Sequence, residues 1–296
     1  MTTYKRRITE SIAQSSVRYS LGLFGRFAPT GITNHISSIG FSINCIPENN
    51  LGKSYGLWHV AAPKTGGTWL SRMLQNMYPD HETKYFGNSV GTRQLNSMKV
   101  LFNSSFPFQN KSLFLQQHCI NCRNTENFLE KSGCRTILQC RNIFDSIISL
   151  YDHSNLSSND DFWTLFGYNN KIWDNLDENF KLDFLVDFAA PWYLKFYSSW
   201  FSSDIIKSDQ IYVITYENLK NNAFDELKKV SEWYGSNISD NAINMVIDSS
   251  NITYTRKNKA IVGRGKESLN EGQIDRIYSL AKYYSSVDLS AIGIHS

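Results

Sequence analysis

The stretch PKTGGTWLS, Pro63–Ser71, lies between an apolar run, YGLWHVAA, and an amphipathic one, WLSRMLQNMY. The apolar run predicts a buried strand. The second run predicts a helix over Thr68–Tyr78, because large apolar side chains recur on one face: Trp69, Leu70, Met73, Leu74 and Met77. The quoted stretch therefore joins the carboxyl end of a strand to the amino end of a helix, where α/β sheets bind anions.

The composition of this turn suits an anion. Gly66 and Gly67 let the backbone approach a ligand closely, Thr65 and Thr68 supply hydroxyl donors, and Lys64 supplies a mobile positive charge. The turn is predicted to bind phosphate or sulfate. The alternative is an ordinary glycine turn with a surface lysine.

The same alternation of strand and helix continues along the chain. SLFLQQH, RTILQC and QIYVITY are predicted strands, and NIFDSIISLYDHS and NAFDELKKVSEWYG are predicted helices, the second closed by Gly235. This order predicts an α/β fold of three layers, a mostly parallel sheet with helices on both faces. Residues 1–54 lack sustained periodicity and are predicted to be an extension that packs on a single domain, residues 55–296.

Composition excludes several classes of protein. The 296 residues are 41% hydrophobic, enough for a packed core, and the formal charge of +3 is too small to favour nucleic-acid binding. Neither an uninterrupted signal-peptide core nor an apolar run of about 20 residues is present in the sequence. We expect a soluble, cytoplasmic protein without a membrane partner.

Five cysteines, an odd number, make a poor disulfide framework and favour reduced thiols. CINC, Cys119–Cys122, has the spacing of half a zinc site, which His118, Cys134 and Cys140 could complete. Because no second CxxC follows, we predict that the protein holds no metal.

The order of residues in the turn separates two kinds of phosphate loop. An ATP-binding P-loop reads GxxxxGK[ST], whereas Lys64 precedes both glycines. The turn resembles instead the loop PK(S/T)GTTW of the sulfotransferases that use 3′-phosphoadenosine 5′-phosphosulfate (PAPS), except that Gly67 replaces a threonine. The resemblance implies a P-loop nucleotide-hydrolase-like fold, PAPS as co-substrate and 3′-phosphoadenosine 5′-phosphate (PAP) as product.

Further motifs of that family follow in order. QCRNIFDSIISLY resembles its 3′-phosphate motif, which implies that Arg141 and Ser149 bind this phosphate. VITYENL resembles the strand ending in YEDL, so Tyr216 is expected beside the adenine, with Trp69 as a second aromatic wall. The resemblance runs from about Gly56 to Lys266.

The last part of the resemblance is looser. MVIDSSNITYTRKNK resembles the segment that closes over the adenine and returns to the 3′-phosphate; its counterparts are Ser249 and the triplet Arg256, Lys257 and Asn258. VGRGK matches the family's VGDWK at Val262, Gly263 and Lys266 and lacks its tryptophan.

The resemblance also implies a catalytic pair. A family histidine just beyond a buried strand accepts the acceptor's proton, and FLQQHCI places His118 there. Lys64 is assigned to the bridging oxygen and the leaving phosphate. The family commonly has a lysine where this chain has Gln116, which can hydrogen-bond a sulfonate without neutralising it.

The segment 152–188 contains eight acidic residues and two lysines, a formal charge of −6. Aromatic residues are interleaved with these acids, and we expect Asp160, Asp161, Phe162 and Trp163 to help shape the acceptor pocket. The segment suggests a small cationic acceptor, such as a guanidinium alkaloid of the saxitoxin kind, and hence natural-product metabolism. A solvated acidic surface is the alternative.

Two other functions fit part of this pattern. A P-loop kinase using ATP and Mg²⁺ is opposed by the position of Lys64 and by the lack of a recognisable Mg²⁺-binding carboxylate after a second strand. A protein that binds PAPS or PAP without turnover is compatible with Gly67 and Gln116, but His118 and Lys64 favour an enzyme.

Overall fold

A computed structural model describes residues 56–84, 94–95, 113–156, 173–252 and 261–295. The predicted N-terminal extension, residues 1–54, lies outside the described residues. So do two groups of predicted site residues, 160–163 and 256–258.

Six parallel strands form the sheet within the described part of the chain: β1 Gly56–Ala61, β2 Glu82–Lys84, β3 Gln94–Leu95, β4 Leu113–Cys119, β5 Arg135–Cys140 and β6 Ile211–Thr215. The strand order is β2-β4-β1-β5-β6, and β3 also pairs with β4. The predicted parallel sheet is therefore confirmed. Because β1 lies at the centre, its carboxyl end is flanked by those of β4 and β5.

Helices follow the strands: α1 Gly67–Met77, α2 Arg123–Ser132, α3 Ile143–Leu156, α4 Glu178–Phe201, α5 Tyr216–Asn221, α6 Ala223–Tyr234, α7 Asp240–Ile252, α8 Arg264–Ser268 and α9 Glu271–Ala281. Short 3₁₀ turns occupy Asp204–Lys207, Lys282–Tyr284 and Ser290–Ile292. As predicted, Gly235 closes α6 in a left-handed conformation. No helix in these ranges is long and apolar enough to cross a membrane.

The two faces of the sheet carry separate hydrophobic cores, because alternate side chains of a strand point in opposite directions. Trp58 and Val60 of β1 pack with residues of α2, α3, α4 and α9. Leu57 of β1 packs on the other side with residues of α1, α6 and α7. This arrangement confirms the three predicted layers.

A strand end and the burial of one side chain differ from the prediction. The last predicted strand ends at Thr215 instead of Tyr216, because the Thr215 side chain accepts a hydrogen bond from the Asn218 N–H and caps α5. Trp69, predicted on the apolar face of α1, is only partly buried, and Ser71 is buried there.

Candidate active site

The turn between β1 and α1 is held in an uncommon backbone conformation. Lys64 and Gly66 both have positive φ angles, 62° and 87°, and Gly66 is the N-cap of α1. A Cβ atom on Gly66 would also lie 2.6 Å from Cδ2 of Tyr216. Glycine is therefore required at position 66 by its φ angle and by the aromatic ring beside it.

Every carbonyl oxygen from Ala61 to Thr65 accepts a hydrogen bond from a side chain. The donors are His118 Nδ1 to Ala61 (2.5 Å), Thr65 Oγ1 to Ala62 (2.7 Å), Tyr193 Oη to Pro63 (2.7 Å), Arg141 Nη1 to Lys64 (2.9 Å) and Gln139 Nε2 to Thr65 (2.9 Å). Four of them come from outside the turn. The shape of the turn therefore depends on β4, β5 and α4 as well as on its own sequence.

These contacts orient the amide groups of the turn. The C=O and N–H groups of a trans peptide point in opposite directions, so a held carbonyl directs the next N–H away from its donor. This applies to the N–H groups of Lys64, Thr65 and Gly66. Together with the amino end of α1, they give the turn the character of an anion site.

A buried polar chain lies beneath the turn, on the face of the sheet that α1 covers. His59 of β1 contacts Ser71 Oγ through Nδ1 (2.7 Å) and Gln139 Oε1 through Nε2 (2.9 Å). Burial lowers the pKa of His59 to about 4; the hydrogen bond with Gln139 opposes this change and the nearby His118 adds to it. His59 is therefore neutral at physiological pH.

His118 is buried near the carboxyl end of β4, facing the same side of the sheet. Its Nδ1–H donates to the Ala61 carbonyl, which can only accept, so in the neutral ring the lone pair lies on Nε2. The main chain thereby sets the tautomer that a base requires.

Gln116, two residues before His118, pairs in register with His59. A Cβ atom on Gly67 would lie 3.2 Å from Gln116 Nε2, so this amide reaches the first residue of α1. The structure thus places Gln116, His118 and the predicted anion turn together.

Arg141 follows β5 and is buried against Tyr216, with its guanidinium carbon 4.4 Å from the ring centroid. Besides Lys64 O it contacts Ile261 O at 3.5 Å, and among the described residues its buried Nε has no hydrogen-bond partner. Ser149, its predicted companion, is buried on α3.

A carboxylate supports the backbone next to Arg141. Glu217 Oε1 accepts from the Asn142 N–H at 3.1 Å. Burial raises the pKa of Glu217, and Arg141 is among the groups that oppose this rise.

The predicted aromatic walls contact each other. The rings of Trp69 and Tyr216 lie 6.2 Å apart at 67°, which makes a corner instead of a parallel pair. Ser249 on α7 accepts a hydrogen bond from Asn76 Nδ2 (3.3 Å) and so links α7 to α1. The assignment of Trp69, Tyr216 and Ser249 to an adenine stays a prediction.

The VGRGK segment forms the start of α8, which packs on α3. Asp145 of α3 accepts from the N–H groups of Gly263 (2.8 Å) and Gly265 (2.7 Å). A Cβ atom on Gly265 would lie 2.3 Å from the Phe144 carbonyl carbon. Position 265, where the family has tryptophan, is thus filled by the α3 backbone.

Several residues of the site were missed from the sequence. Gln139 and Tyr193 each hold a carbonyl of the turn, and Ser71 contacts His59, which in turn contacts Gln139. The available signal was a polar residue inside each of two strands predicted to be buried, GLWHVAA and RTILQC. That signal does not reveal which partners these residues have.

The cysteines of the described ranges are free thiols. Burial raises the pKa of Cys119 and of Cys134 to about 12. No group of three metal-ligating side chains occurs in the part of the chain that the structure describes. CINC forms no zinc site there.

Comparisons with known proteins agree with this fold. The sulfotransferase domain family matches residues 56–267. Mouse sulfotransferase SULT7A1 complexed with PAP is similar in fold, with 15% identity, a TM-score of 0.58, and 80% of this chain and 86% of that chain covered. Retinol dehydratase complexed with androsterone and PAP has 12% identity, a TM-score of 0.51, and coverage of 81% and 84%. None of the curated proteins matches the chain significantly.

Proposed function

Because the chain belongs to the sulfotransferase family, we propose that it transfers a sulfuryl group from PAPS to a small molecule and releases PAP. The accepting atom is a hydroxyl oxygen or an amine or carbamoyl nitrogen. The observation that carries the proposal is the turn Ala61–Thr65, whose five carbonyls are held by side chains.

The residues present suit a doubly phosphorylated nucleotide. The turn directs three amide groups away from the donors of its carbonyls, and Lys64 adds a positive charge for a 5′-phosphosulfate. Arg141 has a buried Nε without a hydrogen-bond partner in the described ranges, which suits a further anion. We assign this anion to the 3′-phosphate and Ser149 to the same group. The triplet at 256–258 is proposed to complete the site.

PAPS supplies an activated sulfuryl group on a phosphate leaving group. His118 Nε2 accepts the proton of the acceptor as the new bond to sulfur forms. Lys64 and the amides of the turn stabilise the charge that develops when the bond from sulfur to the bridging oxygen breaks. Gln116 orients the sulfonate by hydrogen bonding. A protein that only bound PAPS would not need the His118 tautomer set by Ala61.

For the acceptor we propose a small cation. The charge of the acidic segment is partly balanced, because Arg264 pairs with Asp152, and Arg276 pairs with Asp183 and Asp187. These two arginines reduce the formal charge from −6 to −4. The remaining acids include Asp160 and Asp161, which we propose attract the acceptor. We propose that the protein modifies a natural product of this kind in the cytoplasm.

Calorimetric titration with PAP in EDTA, with ATP as competitor, tests the nucleotide. We expect tight binding of PAP and weak binding of ATP. Arg141→Ala should weaken PAP binding by about 10–100-fold, the effect of losing charged hydrogen bonds. Arg135→Ala is the control, because Arg135 lies at the other end of β5 and stacks on Trp233. Preference for ATP with Mg²⁺ would replace the proposal by a kinase.

Turnover of PAPS with a panel of matched cationic and neutral acceptors tests the substrate class. We expect guanidinium compounds to be used faster than phenols or neutral alcohols. Asp160→Asn with Asp161→Asn should raise KM for the cation only, whereas Asp209→Asn, an exposed site before β6, should not. A neutral acceptor that outpaces every cation would contradict the cationic acceptor and leave the sulfuryl transfer in place.

A further inference from the structure

The polar chain beneath the turn has a defined direction. Gln139 Nε2 donates to the Thr65 carbonyl, so Gln139 Oε1 is the atom that faces His59. His59 must then carry its proton on Nε2, and its Nδ1 accepts from the Ser71 hydroxyl. The order of donation is therefore Ser71 to His59 to Gln139 to Thr65.

These hydrogen-bonded side chains, the polar chain, lie directly under the anion turn. His59 and Gln139 have no exposed surface, and a Cβ atom on Gly67 would be 3.8 Å from His59 Cε1. The chain connects α1, β1 and β5 to the turn. In such a dry environment a broken link leaves a buried polar group unpaired, so these hydrogen bonds fix the geometry strongly.

We propose that His59 is a positioning residue: it orients the Gln139 amide, which holds the Thr65 carbonyl and so aims the Gly66 N–H at the 5′-phosphate. The inference rests on the proposed function, because PAP is the ligand expected in the turn. His59 lies beneath the turn and acts through Gln139.

A second buried glutamine provides a contrast. Gln117 of β4 is as buried as Gln139, yet neither of its amide atoms has a hydrogen-bond partner in the described ranges. If burial of a polar side chain were the only role of these glutamines, replacing either one by leucine would have the same effect on the ligand. The hydrogen bonds of Gln139 predict that leucine at position 139 weakens ligand binding and leucine at position 117 does not.

The test compares Gln139→Leu, His59→Leu and the double variant with Gln117→Leu, by calorimetry with PAP and by competition with adenosine 3′-monophosphate, which lacks the 5′-phosphate. We expect Gln139→Leu and His59→Leu each to weaken PAP at least tenfold and the double variant to be no worse than either, because both break one chain. Binding of the 3′-monophosphate should change less than threefold. Gln117→Leu should bind PAP like wild type.

His59→Gln keeps an N–H group that can reach Gln139 and should recover most of the affinity. If leucine at position 59 prevents folding, His59→Phe takes its place, because phenylalanine keeps a ring without a hydrogen-bonding atom and should lose PAP affinity as Gln139→Leu does. PAP affinity within twofold of wild type for His59→Leu, or an equal loss for the 3′-monophosphate, would overturn the role of His59. Absence of PAP binding by wild type would instead refute the proposed function.

Discussion

Gly66 meets two requirements that a substitution test can separate. Gly66→Ala would combine a φ angle of 87° with a Cβ atom 2.6 Å from Tyr216. At Gly235 the φ angle is 77° and no atom lies within 4 Å of the Cβ position. Gly235→Ala therefore adds only backbone strain, which costs about 1–2 kcal/mol. We expect Gly66→Ala to lose more stability in urea unfolding and to lose PAP affinity at least tenfold. Equal losses of stability in Gly66→Ala and Gly235→Ala would mean that the Tyr216 ring moves aside for the methyl group.

His118 can be tested without disturbing the turn. Asparagine keeps an N–H group for the Ala61 carbonyl but cannot act as a base, so His118→Asn should reduce kcat by about 10²–10⁴-fold. PAP affinity should stay within a few-fold of wild type. His295→Ala, an exposed site near the carboxyl end, is the control for single-turnover measurements. Turnover close to that of wild type would remove His118 as the base.

The pKa of His59 makes a prediction about stability and pH. Its folded pKa of about 4 lies below the usual 6.5, so the unfolded chain takes up the proton first as pH falls. The neutral ring therefore contributes stability above pH 6.5, on the order of 3 kcal/mol, that is lost as pH falls to about 4. Between pH 7 and pH 5, the free energy of unfolding measured in urea should fall by about 2 kcal/mol more for wild type than for His59→Gln. Parallel pH curves would contradict this.

The roles of single residues could be predicted from the sequence where one type of side chain is characteristic of one kind of chemistry. Lys64 before two glycines predicted an anion turn, and the family resemblance predicted His118 as a base. The structure brings His118 into contact with that turn at Ala61, while its role as a base stays a prediction. Gln139 and Tyr193 could not be assigned, because their partners are main-chain carbonyls 74 and 130 positions away. A backbone acceptor leaves no residue-specific signal in the sequence.

The helix α8 is only five residues long and depends on α3. Asp145 accepts from two of its N–H groups, and the lack of a side chain at Gly265 allows the two backbones to touch. The match of VGRGK to the family's VGDWK identified this segment but gave no reason for the second glycine. The reason is steric and lies on α3, at Phe144.

Gly265→Ala should therefore displace α8. Its Cβ atom would lie 2.3 Å from the backbone of Phe144, which cannot move aside without distorting α3. Gly263→Ala is the comparison variant, because nothing lies within 4 Å of its Cβ position and it adds only the backbone strain of a φ angle of 87°. Limited proteolysis should cut Gly265→Ala near α8 sooner than Gly263→Ala. Similar rates of cleavage in the two variants would show that α8 accommodates the methyl group.

The alternation of strands and helices along the chain was enough to predict the parallel sheet. It did not predict that β4 lies between β2 and β1, because strand order depends on which crossovers pack, and local periodicity is silent about this. Strand order matters to the site, since it places His118 and Gln139 on either side of β1. The donors that hold the turn are thus assembled only by the complete fold.

The same assembly couples ligand binding to global stability. The donors to the turn lie on β4, β5 and α4, so PAP bound there should stabilise the fold as one unit. At 100 times its Kd, PAP should stabilise the native state by about 2.7 kcal/mol and raise Tm by about 5 °C or more, with or without EDTA. Tryptophan fluorescence, to which the buried Trp58 and Trp200 contribute, reports the unfolding of the core. The temperature of this change should coincide with the temperature at which PAP is released. Release at a lower temperature than the loss of tryptophan burial would show that the turn unfolds separately from the sheet.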